Sequence, residues 1–412
     1  MNILLIYPRP DADKHARFGF SYEMLTVATV LRTYHSITIK DYSCQEFDPA
    51  ALSAEIGQGR FDLLLLECDS FALKRSENLK HARELISICG GRIPVIAYGN
   101  YCYITKASFD KADHTIFCND INALLAQVNA LDGAIQMPYF SNYDALPYID
   151  RSMLLSIAYY KENRHNTLLQ TAKGCENTCV FCQRKGWQDH YVPHSDEYVL
   201  GELRILREQG YKNVWIIDEN FTFDLGRAKR LFSAIYERSL MTGMGFFISS
   251  WANIDNAFLD LAARCNVRII SFGIESACRE ILDFYKKNIR LERVPDLIRY
   301  ADSVGIFTVG NFILGAPMET NESIDATFSF IESCGFDQVN IKTLDYMIGS
   351  ELYDSLPGPL RGDDHVFACT ENGLTCFSIR ELTGRRDRFL REYYAKHKKA
   401  IAKKIREYGP PY

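Results

Sequence analysis

The sequence predicts an α/β protein: a doubly wound parallel sheet, then a partial (β/α)6 barrel of the TIM type, then a helical tail. Three observations predict it. Short apolar runs alternate with helical patterns over the first 135 residues, and such alternation builds parallel sheets with right-handed crossovers. After a turn-rich stretch, six more strand–helix units follow, the number of a partial barrel. The stretch from Glu381 to Tyr412 then carries ten Lys/Arg against four Asp/Glu, with the pattern of a solvated amphipathic helix. A chain of 412 residues suits two or three domains. No stretch approaches the roughly 18 consecutive apolar residues that a spanning helix needs, so a cytoplasmic protein is expected. Met1–Tyr7 reads as a buried first strand and not as a secretion signal.

In order, the first series has candidate strands at Asn2–Tyr7, Ile37–Tyr42, Leu63–Glu67, Val95–Tyr98 and Thr115–Cys118, with helical patterns such as Tyr22–Tyr34 and Glu77–Ile88 between them. Ligands of such sheets bind beyond the carboxyl ends of the strands. The loops after Tyr7, Glu67 and Tyr98 are therefore candidate ligand loops. Residues 136–152 combine Pro138, Pro147 and Asn142 with several tyrosines, and read as a surface linker. The expected organisation is residues 1–135, a linker 136–152, a barrel 153–355 and a C-terminal segment 356–412.

The second series has candidate strands at Leu168–Thr171, Val214–Asp218, Phe246–Ser250, Val267–Gly273, Thr308–Leu314 and Gln338–Leu344. Helical stretches follow at Glu197–Gln209, Gly226–Ser239, Asn256–Cys265, Arg279–Phe284 with Leu291–Val304, and Ser323–Ser333. In a barrel of this kind the chemistry sits just past the strand ends.

Thirteen cysteines is a high, odd number. In a reducing compartment most are expected to be small buried hydrophobes. Three differ: Cys175, Cys179 and Cys182 lie on one loop, spaced C-x3-C-x2-C, directly after the first barrel strand. Three thiolates on one loop can hold three irons of a [4Fe–4S] cluster and leave the fourth iron open. The alternative is zinc, for which a structural site takes four ligands, with His190 the nearest candidate for the fourth. Cys369 and Cys376 form the only pair in the tail, too few for a second cluster.

Gly174-Cys175-x3-Cys179-Val180-Phe181-Cys182 resembles the signature of the radical SAM superfamily. The resemblance implies that the open iron binds S-adenosylmethionine, whose reductive cleavage yields a 5′-deoxyadenosyl radical that abstracts a hydrogen atom. It also implies that Phe181 packs by the adenine. Ile217-Asp218-Glu219-Asn220 is similar to the family segment whose acidic residues take the methionine ammonium group. Ser249-Ser250-Trp251-Ala252-Asn253 stands where family members usually carry an arginine; this chain has none there. Gly273-Ile274-Glu275-Ser276 resembles the element near the ribose and methionine. Ile313-Leu314-Gly315-Ala316-Pro317-Met318-Glu319-Thr320 resembles the turn after the strand that backs the adenine. Gly349–Tyr353 matches a common closing segment. The implied cofactor contacts are thus Phe181, Asp218, Glu219, Asn220, Ser250, Glu275, Ser276, Ile313 and Gly315, with Cys175, Cys179 and Cys182 on the metal.

The first series before such a barrel resembles the N-terminal B12-binding-type domain of one branch of that family, in which cobalamin commonly carries a methyl group to carbon. Asn2–Pro8, Tyr22–Tyr34, Asp41 and Val95–Gly99 fit that layout. No Asp-x-His-x-x-Gly ligand motif is present. Gly99-Asn100 stands for the usual Gly-Gly, and Cys118-Asn119-Asp120-Ile121 for the usual Gly-Glu-Gly-Glu. Cobalamin-dependent C-methylation and cobalamin-free dehydration or epimerisation on a retained scaffold therefore both stay open.

The reading implies a small-molecule or peptide substrate, in secondary metabolism, and a flavodoxin- or ferredoxin-type electron donor. It implies no membrane partner. The basic tail raises an RNA partner, but no added RNA-binding module accompanies it. Trp187, His190, Trp251, Asn253 and Tyr346 are the candidates for lining a substrate pocket. The catalytic residue that handles substrate is unknown at this level.

Overall fold

The computed structural model describes residues 1–8, 20–68, 76–105, 109, 112–116, 120–133, 135, 137–183, 190–361 and 365–408. They fall into two units, Met1–Arg164 and His165–Tyr412.

The first unit runs β1 (Asn2–Tyr7), α1 (Tyr22–Leu31), β2 (Ser36–Asp41), α2 (Pro49–Gly57), β3 (Leu63–Glu67), α3 (Ser76–Cys89), β4 (Val95–Tyr98), α4 (Asn100–Thr105), β5 (His114–Thr115), α5 (Ile121–Asp132) and α6 (Ala158–Glu162). Among the described residues its parallel sheet has the order β2-β1-β3-β4-β5. This is a Rossmann-like sheet whose order reverses between β1 and β3, the crevice where ligands of such sheets bind. Leu63 to Leu66 are fully buried, because helices cover both faces and the strand has no polar side. The last expected strand shortens to β5, and Cys118 and Asn119 lie outside the described residues. So do most of the loops after Tyr7 and Glu67. The helix α2 begins on Asp48, whose side chain accepts from Ala50 N and Ala51 N, with Pro49 at its first position.

The end of β4 is tightly built. Gly99 has φ 112°, and a Cβ there would stand 2.7 Å from the Cys68 carbonyl oxygen. Cys68 N–H donates to Tyr98 O at 2.6 Å, and Tyr101 N–H to Cys68 O at 2.9 Å. Glycine is required here by the approach of two stretches of backbone.

Residues 136–164 group with this unit. Phe140 N–H donates to Asn122 Oδ1 at 2.8 Å, and Asp150 N–H to Thr29 Oγ1 at 2.9 Å. The Tyr160 hydroxyl donates to the buried Asp41 carboxylate at 2.6 Å.

The second unit runs β6 (Asn166–Leu169), β7 (Ala172–Lys173), β8 (Val192–Pro193), α7 (Asp196–Glu208), β9 (Asn213–Ile216), α8 (Leu225–Glu237), β10 (Gly245–Trp251), α9 (Asn256–Arg264), β11 (Val267–Glu275), α10 (Arg279–Phe284), α11 (Val294–Ser303), β12 (Phe307–Leu314), α12 (Asn321–Cys334), β13 (Gln338–Thr343), β14 (Asp345–Met347), α13 (Glu351–Asp354), β15 (His365–Phe367) and α14 (Ile379–Tyr408). The parallel sheet β13-β12-β11-β10-β9-β6 contains all six expected barrel strands, with ends within two residues of expectation. Its outer face packs on the helices through Phe246, Phe272, Phe312 and Ile341, among others.

The inner face is layered by register, because residues paired across parallel strands share a face. Leu168, Trp215, Phe247, Ile269 and Phe307 pair in turn and make an apolar floor. Above it lie Ser249, Ser271, Val309 and Gln338, then Trp251, Gly273, Asn311 and Asn340, then Ile313 beside Lys342. The long helix α14 seals the floor. Tyr393 donates its hydroxyl to Phe336 O, Val339 N–H donates to the Tyr394 hydroxyl at 2.9 Å, and Ile401 and Ile405 pack against Phe247, Ile269, Phe307 and Val309. Lys404 pins this end to Asp337 at 2.7 Å and also to Asp302. Much of the basic tail is thus built into the barrel.

Candidate active site

The loop after β6 is clamped before it reaches the first cysteine. Thr171 is fully buried. Its N–H and hydroxyl donate to the two oxygens of Asp218 at 2.7 and 2.5 Å, and Ala172 N–H adds a third bond at 3.1 Å. From the other side the buried Arg227, on α8, donates to Thr171 O at 2.8 Å, to Thr171 Oγ1 at 3.3 Å and to His194 O at 3.1 Å. Burial raises the Asp218 carboxyl to about 6, against the pull of these three donors. The side chain of Asp218 is therefore spent on positioning the loop.

Gly174 turns the chain with φ 84°, and its N–H donates to Glu219 Oε2 at 3.0 Å. Cys175 Sγ accepts from Asn177 Nδ2 at 3.1 Å. Cys182 N–H donates to Cys179 O at 3.0 Å, and Leu352 N–H to Val180 O at 3.0 Å. Phe181 stands edge-on to Tyr285 at 5.1 Å between ring centres. Burial pushes the Cys179 thiol up to about 12 and raises Cys175 as well. Such thiols stay protonated until a metal displaces the proton. Among the described residues no three His, Cys, Asp or Glu side chains converge as one metal ion would require. A cluster takes one cysteine on each of three irons and needs no such convergence.

The neighbouring strand ends are knitted to this loop. Asn220 Oδ1 accepts from the Thr222 hydroxyl at 3.1 Å and from Trp251 N–H at 3.3 Å, and Thr222 meets Ser250 hydroxyl to hydroxyl at 2.6 Å. The β11 ladder breaks register between Gly273 and Glu275, where Glu275 takes φ 72°. A left-handed non-glycine residue costs on the order of 1–2 kcal/mol, so the surrounding structure holds Glu275 there. Its carboxylate meets Lys287 Nζ at 2.8 Å with both side chains at most 10% exposed. Lys287 in turn lies over the Trp251 ring at 4.3 Å, and its charge favours the Cys179 thiolate. Ser276 Oγ accepts from Cys278 N–H at 3.1 Å. Gly315 N–H donates to the buried Glu319 at 3.1 Å, and Ile313 joins Phe181 in one apolar cluster.

The structure brings the three cysteines, Phe181, Glu219, Glu275 and Ile313 to one end of the barrel. Asn220, Ser250, Ser276 and Gly315 brace the strand ends around them. Of the candidate substrate contacts, Trp251 lies under Lys287, and Tyr346 is buried in the apolar cluster beside Val180. Asn253 donates to Asn288 O, His190 is exposed, and Trp187 lies outside the described residues. Thr171, Arg227 and Lys287 escape sequence reasoning. Arg227 sits on a helix whose pattern places it with the core residues Ala228 and Leu231, and a buried arginine in such a pattern is the signal that could have found it.

Residues 169–331 match the Radical SAM superfamily. A cytidylyl-2-hydroxyethylphosphonate methyltransferase of Streptomyces wedmorensis is 33% identical over 45% of this chain and 36% of its own length. An uncharacterized methyltransferase of Pyrococcus horikoshii is 30% identical over 53% of this chain and 48% of its own. The chain thus spans half or less of these curated relatives. Among solved structures, the radical S-adenosylmethionine methyltransferase TsrM of Kitasatospora setae, with cobalamin and a [4Fe-4S] cluster bound, superposes with TM-score 0.73 at 16% identity, over 88% of this chain and 79% of its own. The cobalamin-dependent S-adenosylmethionine radical enzyme OxsB superposes with TM-score 0.67 at 13% identity, over 86% and 60%. These two likenesses speak for the fold.

Proposed function

We propose, from the premise that residues 169–331 form a radical SAM domain, that this radical SAM enzyme is a methyltransferase. Its substrate would be a small-molecule or peptide intermediate. The observation that carries the methyl-transfer reading is the 33% identity to a methyltransferase, over a stretch about as long as the barrel. The residues present suit the implied cofactors. Cys175, Cys179 and Cys182 would hold three irons of the cluster. Glu219 and Glu275 supply the anionic oxygens an ammonium group needs, and Phe181 with Ile313 supplies an apolar wall for an adenine. When bound, cluster and S-adenosylmethionine supply the electron transfer and the radical.

The chain's own part is placement. Asp218 and Arg227 fix where the cysteine loop begins. Lys287 offsets the negative charge that three thiolates and Glu275 concentrate in one place. The apolar floor, packed on Ile401 and Ile405, closes the lower end of the lumen.

At the carboxyl end of β4, the buried Tyr98 hydroxyl has no hydrogen-bond partner among the described residues. A polar ligand there would satisfy it, which supports a cobalamin site. The backbone at Gly99 is already committed to Cys68, which supports the scaffold reading. Metal content decides between them, measured on protein purified without oxygen from cobalamin-fed cells. About four irons with one cobalt per chain, together with both 5′-deoxyadenosine and S-adenosylhomocysteine as products, is the expected result. Iron without cobalt would turn the first unit into a scaffold and the chemistry toward dehydration or epimerisation. Protein without iron would end the reading.

A further inference from the structure

Lys342 stands on β13, the terminal strand of the barrel sheet. Its neighbours Val339 and Ile341 pack into the helix layer, so the alternation of a strand turns Lys342, like Asn340, into the lumen. Its register partner is Ile313, which shares an apolar cluster with Phe181. Lys342 therefore lies beside the cofactor end of the lumen, on the edge where β13 and β6 leave the barrel unclosed.

The amides deeper in that lumen are linked in a chain. Asn311 Nδ2 donates to the Phe272 carbonyl at 3.0 Å and to Ser271 Oγ at 2.8 Å. The backbone carbonyl fixes which way this amide points, and the order then propagates: Asn340 Nδ2 donates to Asn311 Oδ1 at 3.0 Å, and Gln338 Nε2 to Asn340 Oδ1 at 3.2 Å. Among the described residues, the lumen cation Lys287 is neutralised by Glu275. Lys342 is exposed, and no carboxylate pairs with it among the described residues. Among the described residues, the lumen amides and Lys287 have protein partners, and the Lys342 ammonium group is open to something that is not protein.

We propose that Lys342 is a substrate-specificity residue that receives an anionic group of the substrate, a carboxylate or a phosphonate-like oxyanion. The inference rests on the radical SAM reading for what occupies the rest of the lumen. A compact ammonium at the open edge suits a point contact with an anion that enters from the side. The ladder of spent amides beneath it gives the rest of the molecule a polar but inert bed.

The test uses the full cluster-loaded chain and two probes, acetate and methylphosphonate. Amine acylation of each lysine is followed by mass spectrometry at constant ionic strength. Lys342 should react readily without probe and at least fivefold more slowly with one of the two, while the exposed Lys161 is unchanged; the effective probe tells carboxylate from phosphonate. The same anion should raise the melting temperature of the wild type and of Lys342→Arg, and not of Lys342→Met. Equal labelling of Lys342 under all conditions, or a melting rise that survives in Lys342→Met, overturns the proposal. Iron content and S-adenosylmethionine cleavage are measured on the same sample. Failure there refutes the enzyme reading, whereas cleavage without protection of Lys342 refutes this inference alone.

Discussion

At the scale of single residues, the pair Glu275–Lys287 is the most exposed to loss. Removing one partner leaves a buried, uncompensated charge, which costs roughly 3–5 kcal/mol. Lys287→Met alone and Glu275→Gln alone should each destabilise by about that much, and the double variant should recover more than half. Denaturant unfolding of cluster-free protein measures the cycle; simple additivity would show that the contact carries no coupling. Asp218 makes a different prediction. Its folded carboxyl is raised to about 6, so its contribution is fully present below the unfolded value near 4 and is lost as pH rises through 6. Relative to Asp218→Asn, the wild type should lose up to about 3 kcal/mol between pH 4 and 6. A pH-independent difference would contradict the raised value. Neither residue's partner was legible in sequence. Lys287 follows the end of α10 in a Tyr-Lys-Lys-Asn stretch that reads as a solvated helix end, and only the path of the chain lays it over Trp251.

At the scale of elements, strands buried on both faces were the easiest to read. Leu63–Leu66 is a continuous apolar run, because helices leave it no wet side, whereas a barrel strand such as β13 (Gln-Val-Asn-Ile-Lys-Thr) alternates between the helix layer and the lumen. The pairs β7–β8 and β14–β15 are two or three residues long, too short to show any period, and they went unread. So did the purpose of α14. Its charge announced a solvated helix, while its attachment rests on Leu382, Phe389, Tyr393, Tyr394, Ile401 and Ile405, a stripe interrupted by arginines and lysines. The prediction here is that Ile401→Ala with Ile405→Ala costs roughly 2 kcal/mol and lowers the thermal midpoint. Charge reversal at Arg391, on the exposed side of the same helix, should leave it within a degree. A midpoint equally indifferent to both changes would place the helix end off the barrel.

For the whole molecule, the cysteine loop and the order of strand-end motifs were legible because they stand out by residue type and spacing. The clamp behind the loop was not, since Thr171, Asp218 and Arg227 meet only when β6 pairs with β9 and α8 packs behind them. The clamp and the cluster should act on the same stretch of chain. Removing iron with a chelator is expected to speed amide hydrogen exchange at residues 171–183 and 284–287, with β1, β3 and β4 of the first unit unchanged. Mass-resolved exchange on loaded and stripped protein is the measurement. Exchange that rises uniformly through both units would mean that the cluster governs global and not local stability.

The seal beneath the barrel also has a meaning in time. A ribosome releases β6 through β13 well before Ile401 and Ile405, so the nascent barrel stands with Trp215, Phe247 and Ile269 uncovered while synthesis continues. During that interval the growing chain presents a sticky aromatic hollow to whatever meets it in the cell, and the last helix withdraws that hollow from view.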